Sequence, residues 1–309
     1  MGSEKIGGAQ VTKVLVVMGG FSDEREISLL SGHQAADALK QSGYEVSLYD
    51  LKDVEDFVVT LKKVCPDVVF NALHGKYGED GCIQGLLNLM KIPYTHSGVL
   101  ASALGMDKNK ARLLAQNAGL DIAKGGLLSR DEFLSREPQM PYVIKPNDNG
   151  SSVGVFIVRN EADKKAALAA WPAEESRLVE EYIAGRELSV AVWDNKGVGV
   201  VEIVPKTGYY DFKNKYTDGA TDHIIPAKIP TDVYEKALMQ AAIIHQKLGC
   251  RGVSRSDFRF DEKRLVFLEI NTNPGMTALS LVPDIMRVCQ GTTYERIVSR
   301  LVEEAACDA

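Results

Sequence analysis

The sequence predicts a mixed α/β and α+β chain, with an N-terminal parallel α/β unit followed by two α+β units. Three observations carry this. In the first third, short apolar runs alternate with helical stretches, the β-α-β rhythm of a parallel sheet with helices on both faces. In the middle, two strand-like runs flank a Gly/Ser loop at 147–154. In the last third, neighbouring runs alternate apolar and polar positions, as in an antiparallel sheet. The expected boundaries are a flexible extension at 1–11, an α/β unit at 12–97, a small central unit at 98–183 and a C-terminal unit at 184–309.

The elements follow in order. The apolar run 14–18 is a buried strand broken by Gly19 and Gly20. Ser22 or Asp23 can cap a helix to about Gln41, stopped by Gly43. Strands are expected at 45–49 and 67–72, then a glycine-rich loop at 74–81, a helix at 84–90 and a short strand at 92–94. Beyond Ser97, residues 108–117 form a helix ended by Gly119. Residues 142–145 and 153–158 are strands, 162–170 a helix and 177–183 a strand ended by Gly185. Residues 188–192 and 199–204 read as paired strands, and 232–248 as a strong helix. The polar stretch 206–222 between them is long for a compact chain, which marks it as a candidate lid.

Size and composition bound the answer. At 309 residues the chain has room for two or three domains, each with its own core. The 45% hydrophobic and 25% charged residues are ordinary for a globular protein. A net charge of −6 argues against a broad nucleic-acid surface but leaves room for a local basic pocket. The five cysteines, Cys65, Cys82, Cys250, Cys289 and Cys307, are odd in number and lack C-x-x-C spacing. A disulfide scaffold or zinc site is therefore not expected, and a reducing, cytoplasmic setting is. No apolar run approaches the ~20 residues that cross a bilayer, so no membrane partner is expected.

The segment 253–274 carries the most chemistry. Two strands, 253–260 and 265–271, flank a polar turn. Phe258, Phe260, Val266, Leu268 and Ile270 are apolar, whereas Arg255, Asp257, Arg259, Glu269 and Asn271 are polar. Because side chains alternate faces along a strand, the polar set shares one face if the turn between the last paired residues has three or five residues. Asp257, Glu269 and Asn271 then converge as two carboxylates and an amide oxygen, hard ligands that suit magnesium. A solvated face with Arg–carboxylate pairs would give the same alternation. The E-x-N-x-N-P-G run 269–275 favours the metal reading, because Asn273, Pro274 and Gly275 make a sharp turn that can present backbone N–H groups.

Phosphate-binding parts are also present. There is no G-x-x-x-x-G-K-[ST] run, and Gly19-Gly20 lacks the dinucleotide spacing. The run Gly150-Ser151-Ser152-Val153-Gly154 can lay its N–H groups over phosphates, with Lys108 and Lys145 supplying charge.

Seven runs in order resemble the ATP-grasp superfamily and, within it, the D-alanine–D-alanine ligases. They are MGGFSDEREIS at 18–28, ALHGKYGEDG at 72–81, MDK at 106–108, VIKPNDNGSSVG at 143–154, YYDFKNKY at 209–216, SRSDF at 254–258 and LEINTNPGMTALSLVP at 268–283. The likeness spans roughly Val11 to Glu304. One position differs: Asn149 stands where the family usually has an acidic residue.

The resemblance implies an ATP-grasp fold in which the two α+β units clamp ATP. It implies ADP-forming ligation of D-alanine for peptidoglycan synthesis, two magnesium ions (manganese as a substitute) and a homodimer. The alternative is D-alanine–D-lactate ligation or another ATP-grasp carboxylate–amine ligation, and Lys215-Tyr216 favours the dipeptide enzyme over the first of these. By the same resemblance Lys108, Lys145, Ser152 and Lys215 hold ATP. Glu180, Glu181, Tyr182 and Ile183 form the adenine pocket, and Glu187 binds ribose. Asp257, Glu269 and Asn271 hold the metal. Glu24 binds the first D-alanine and joins Ser151 and Tyr216 in closing the site. His74, Ser280 and Leu281 contact substrate. Arg255 and the Gly275 N–H are placed to stabilise an oxyanion.

Overall fold

The computed structural model describes residues 11–150, 153–206, 220–278 and 280–308. The N-terminal extension to Gln10, Ser151, Ser152, Lys215, Tyr216 and most of the expected lid lie outside the described residues.

The first unit is a parallel sheet. Strands β1 (Lys13–Gly19), β2 (Glu45–Leu51) and β3 (Val68–Asn71) lie in the order β2-β1-β3, linked by α1 (Arg25–Gln41) and α2 (Val54–Val64). Where a strand at 92–94 is expected, Tyr94 makes a single parallel bridge to Val69. The period of two in β1 sorts its side chains. Val14, Val16 and Met18 pack with Ala35 and Leu39 of α1, whereas Leu15 and Val17 pack with Phe57, Leu61 and Leu87. Neither Ser22 nor Asp23 caps α1. Its N-cap is Glu24, with no side-chain cap bond, because Ser22 Oγ instead accepts from the Glu24 N–H and donates to the His74 carbonyl at 2.7 Å.

After α3 (Cys82–Met90), α4 (Val99–Met106) and α5 (Lys108–Asn117), two antiparallel systems follow. The smaller has four strands in the order β5 (Gly125–Leu128), β8 (Arg177–Glu181), β6 (Tyr142–Pro146), β7 (Phe156–Val158), with α6 (Arg130–Ser135) and α7 (Glu161–Ala169). Tyr142, Ile144 and Val158 bury themselves with Phe133 and Trp171. The alternate residues Val143, Lys145 and Ile157 face a cleft.

The larger sheet has six strands in the order β11 (Thr221–Ile224), β10 (Lys196–Pro205), β9 (Arg186–Trp193), β12 (Val253–Phe260), β13 (Leu265–Asn271), β4 (Asp121–Ile122). All its pairings are antiparallel except β13 with β4. One face packs on α5 and α8 (Thr231–Leu248) through Ala111, Ala115, Ala241, Ile244, Phe258 and Phe267. The other packs on α9 (Leu281–Gln290), which joins α10 (Tyr294–Glu303) and α1 in one core. Because that core includes Val14 and Val16 of β1 as well as Ala191 and Val201 of the large sheet, the first unit is fixed against the last.

The β12–β13 hairpin corrects the turn expectation. Arg255 pairs with Asn271 and Asp257 with Glu269, the register that the polar face requires. The connection from Phe260 to Leu265, however, has four residues. Parity is restored by a bulge: beyond Asp257 the register shifts, so that Phe258 meets Phe267. Leu268 is the extra residue, and the one-residue surplus places it beside Glu269 in the cleft lining. Val266 also leaves the expected apolar face; it packs with Ala123 and Ile183, whereas Phe258, Phe260 and Ile270 stay in the core of the sheet.

Candidate functional site

The cleft lies between the inner faces of the two antiparallel sheets. One wall carries Val143, Lys145, Ile157 and Glu180, and the facing wall Asp257, Leu268 and Glu269. Lys108, Glu181, Tyr182, Ile183 and Glu187 also line it, with Pro146, Asn149, Val153, Val155 and Arg259 at its edges. The sequence reading assigned site roles to Lys108, Lys145, Glu180, Glu181, Tyr182, Ile183, Glu187, Asp257 and Glu269, but not to the apolar residues Val143, Ile157 and Leu268.

The charges in this cleft are paired. Lys145 Nζ lies 2.5 Å from Glu180 Oε1, and both side chains are buried. Arg112, behind Glu180, reaches it at 3.9 Å and donates to the carbonyls of Ala123 and Gly125. Lys108 Nζ donates to the Asn149 carbonyl at 2.6 Å and lies 3.2 Å from Glu269 Oε2, so it ties the Gly/Ser loop to the hairpin. Glu187 pairs with Arg259 at 2.8 Å. Glu181 is held by Arg264, and its N–H is taken by the Lys124 carbonyl at 2.7 Å. Ile183 is buried at the cleft wall.

Asp257 accepts both arms of the Arg255 guanidinium, at 3.0 and 2.9 Å, and the Ser189 hydroxyl at 2.5 Å. Ser189 was not read from the sequence; its position opposite Asp257 in the β9–β12 ladder could have suggested it. Asn271 Oδ1 accepts from the Asn273 N–H at 2.9 Å. Among the described residues no three His, Cys, Asp or Glu side chains form a metal cage. Two carboxylates in direct register, with an amide oxygen two residues along the same face, nevertheless make a donor set of hard oxygens that fits a small divalent cation.

The second cluster sits where the parallel sheet ends, at the carboxyl edge that binds ligands in open α/β sheets. Glu24 is 9% exposed, and its carboxylate lies between two loops. A Cβ on Gly150 would fall 2.6 Å from Glu24 Oε2, and one on Gly75 would fall 3.0 Å from it. Gly75 also needs its φ of +68°, which a side chain would strain. His74 is buried with Nε2 3.4 Å from Ser31 Oγ. Desolvation, partly opposed by Glu24, pushes its pKa down, which favours the neutral ring. Glu79, missed in the sequence although it lies in the HGKYGEDG run, is buried beside this cluster. It accepts from the Gly75 N–H at 3.0 Å. Burial, reinforced by Glu24, pushes its carboxyl up to about 8.

The third segment is the turn after β13. Gly275 closes on Ser280, whose hydroxyl accepts from the Thr277 N–H at 3.1 Å. Leu281 is 6% exposed and its side chain belongs to the core, so that side chain does not face a ligand. Gln34 of α1 accepts from the Ala278 N–H at 2.8 Å. No helix among the described residues is long and apolar enough to cross a membrane.

Comparisons with known proteins bear on the family and the fold. Residues 116–303 match the family described as D-ala D-ala ligase C-terminus, and 56–97 match D-ala D-ala ligase N-terminus. The chain is 49% identical over 305 residues to a D-alanine--D-alanine ligase from Paramagnetospirillum magneticum, covering 96% of this chain and 99% of that one. It is 47% identical to one from Parvibaculum lavamentivorans over 97% of this chain and 99% of that one. The solved D-alanine--D-alanine ligase from Bacillus anthracis complexed with ATP superposes with a TM-score of 0.82 at 27% identity, covering 96% of this chain and 97% of that one. The VanG D-Ala:D-Ser ligase from Enterococcus faecalis gives 0.78 at 28%, covering 95% and 99%.

Proposed function

The chain belongs to the D-alanine–D-alanine ligase family, and on that premise we propose that it joins two D-alanine molecules, converting ATP to ADP and phosphate, for peptidoglycan precursor synthesis. The observation that carries the reading is the Asp257–Glu269 register pair. It sits in a cleft whose other wall holds Lys145 and Glu180, and Lys108 ties it to the Asn149 carbonyl, next to Gly150, which lies against Glu24.

In this reading the units 98–183 and 184–309 clamp ATP, and 12–97 supplies the amino-acid site. Val143, Ile157, Leu268 and Ile183 sandwich the adenine, with Glu180, Glu181 and Tyr182 around it and Glu187 at the ribose. Lys108, Lys145, Ser152 and Lys215 hold the phosphates. Asp257, Glu269 and Asn271 would hold two magnesium ions, or manganese, which supply neutralisation of phosphate charge when bound.

A carboxylate is a poor electrophile and must be activated. Glu24 holds the ammonium of the first D-alanine, with Ser151 and Tyr216 closing over it. The carboxylate oxygen of that D-alanine attacks the γ-phosphorus in line, the bond to ADP breaks, and an acyl phosphate forms. The second D-alanine docks at Ser280 and the backbone of Leu281, near His74. Its amine, having lost its extra proton, attacks the acyl carbon. Arg255 and the Gly275 N–H hold the tetrahedral oxyanion, and phosphate departs as the amide forms. A cytoplasmic homodimer is the form this reading expects.

The test is ADP formation with ATP and magnesium, comparing D-alanine alone with L-alanine and with D-alanine plus D-lactate or D-serine. D-alanine alone should support turnover and yield the dipeptide. Turnover only with D-lactate or D-serine as the second substrate, or none with any of them, would overturn the reading.

A further inference from the structure

Asn273 is 2% exposed, and its side chain crosses between the two halves of the site. Its Nδ2 donates to the Leu73 carbonyl at 2.7 Å, a contact between residues 200 positions apart. Its own N–H donates to Asn271 Oδ1 at 2.9 Å. Leu73, itself 1% exposed, immediately precedes His74. The His74 carbonyl accepts from Ser22 Oγ at 2.7 Å, and the same Oγ accepts from the Glu24 N–H at 3.2 Å. One path of hydrogen bonds and adjacent residues thus runs from a candidate metal ligand to the candidate ammonium site.

We propose that Asn273 is a positioning residue that sets the metal-binding hairpin and the Glu24–His74 cluster in one frame, so that the first substrate's carboxylate meets the γ-phosphate in line. The proposal rests on the ligase reading and adds a residue that touches neither substrate. Three physical points support it. Phosphoryl transfer depends on placement, and a displacement of about 1 Å can cost about a hundredfold in rate. The Leu73 carbonyl is buried with its residue, so losing the amide donor leaves that carbonyl to shift toward another partner. Pro274 confines the Asn273 backbone to extended conformations, so the amide is held on a stiff support.

The test uses Asn273→Ala and Asn273→Asp in the full chain, the second keeping the shape but not the donor. Steady-state kinetics should show kcat for ADP formation down tenfold or more, with the KM for ATP and the ATP-binding stoichiometry within twofold of wild type. Hydrogen–deuterium exchange should quicken in both 72–75 and 271–275. A kcat within twofold in both variants would overturn the proposal. So would a kcat loss that only tracks the fraction of protein able to bind ATP, or unchanged exchange in those two segments. If wild type forms no ADP with D-alanine, the ligase reading fails instead, and the exchange experiment still judges the frame.

Discussion

Glu269 stands directly opposite Asp257 in the β12–β13 ladder, and the register shifts by one residue immediately beyond them. The bulge therefore brings Leu268 and Glu269 into the cleft together, an apolar floor next to a carboxylate. Strand alternation alone would send one of the two to the other face.

Asp257→Asn and Glu269→Gln should each lower turnover at least about a hundredfold while far-UV circular dichroism stays unchanged. Both replacements keep side-chain volume and remove the anionic oxygen that a divalent ion needs. Near-normal turnover in either would break the metal assignment.

Arg255 forks onto Asp257 from two residues away on the same face, where it also influences His74 and Glu79. Arg255→Ala should cut kcat roughly a hundred- to a thousandfold, the usual cost of losing one oxyanion donor, with the KM for ATP little changed. A shift confined to the ATP KM would remove the oxyanion role.

Glu79 should make stability depend on pH. Its carboxyl is pushed up to about 8 when folded, against about 4.3 in an unfolded chain. The folded state therefore binds this proton more tightly. The group's contribution is complete below the unfolded value and declines as pH rises through the interval, being lost above about 8. Between pH 5 and 8.5 the wild-type melting temperature should fall relative to that of Glu79→Gln. Parallel curves for the two proteins would place the proton elsewhere.

Gln34 holds the turn that leads to Ser280, through the Ala278 N–H. Gln34→Leu removes the acceptor, whereas Gln34→Glu keeps one. A net hydrogen bond is worth about 0.5–1.5 kcal/mol. The leucine variant should therefore raise the KM of the second D-alanine by roughly two- to tenfold, leave the KM for ATP alone, and be rescued by glutamate. Equal KM values in all three proteins would show that this turn does not shape the second-substrate site.

Much of the molecule was legible in its sequence because the signals are local. Residues 108–117 form the expected helix, since Asp107 accepts from the Lys110 N–H at its start and Gly119 follows its end. The paired strands, the long helix of α8 and the polar face of β12–β13 follow from periodicity. Some local signal went unused: Ile297, Val298, Leu301 and Val302 recur at helical spacing and mark the buried stripe of α10.

Tertiary structure alone decided the rest. The bulge at Leu268 arises because a four-residue turn and a shared polar face have conflicting parity, which no strand pattern reveals. The placement of Glu24 against Gly150, the burial that raises the Glu79 carboxyl and the bond from Asn273 to Leu73 join residues up to 200 positions apart. Their energetics depend on burial and on which charges become neighbours once the sheets close. The sequence by itself determined where most strands and helices form and which side chains are candidates for the chemistry. Packing determined the partner of each, because only a closed core excludes the water that would otherwise satisfy them.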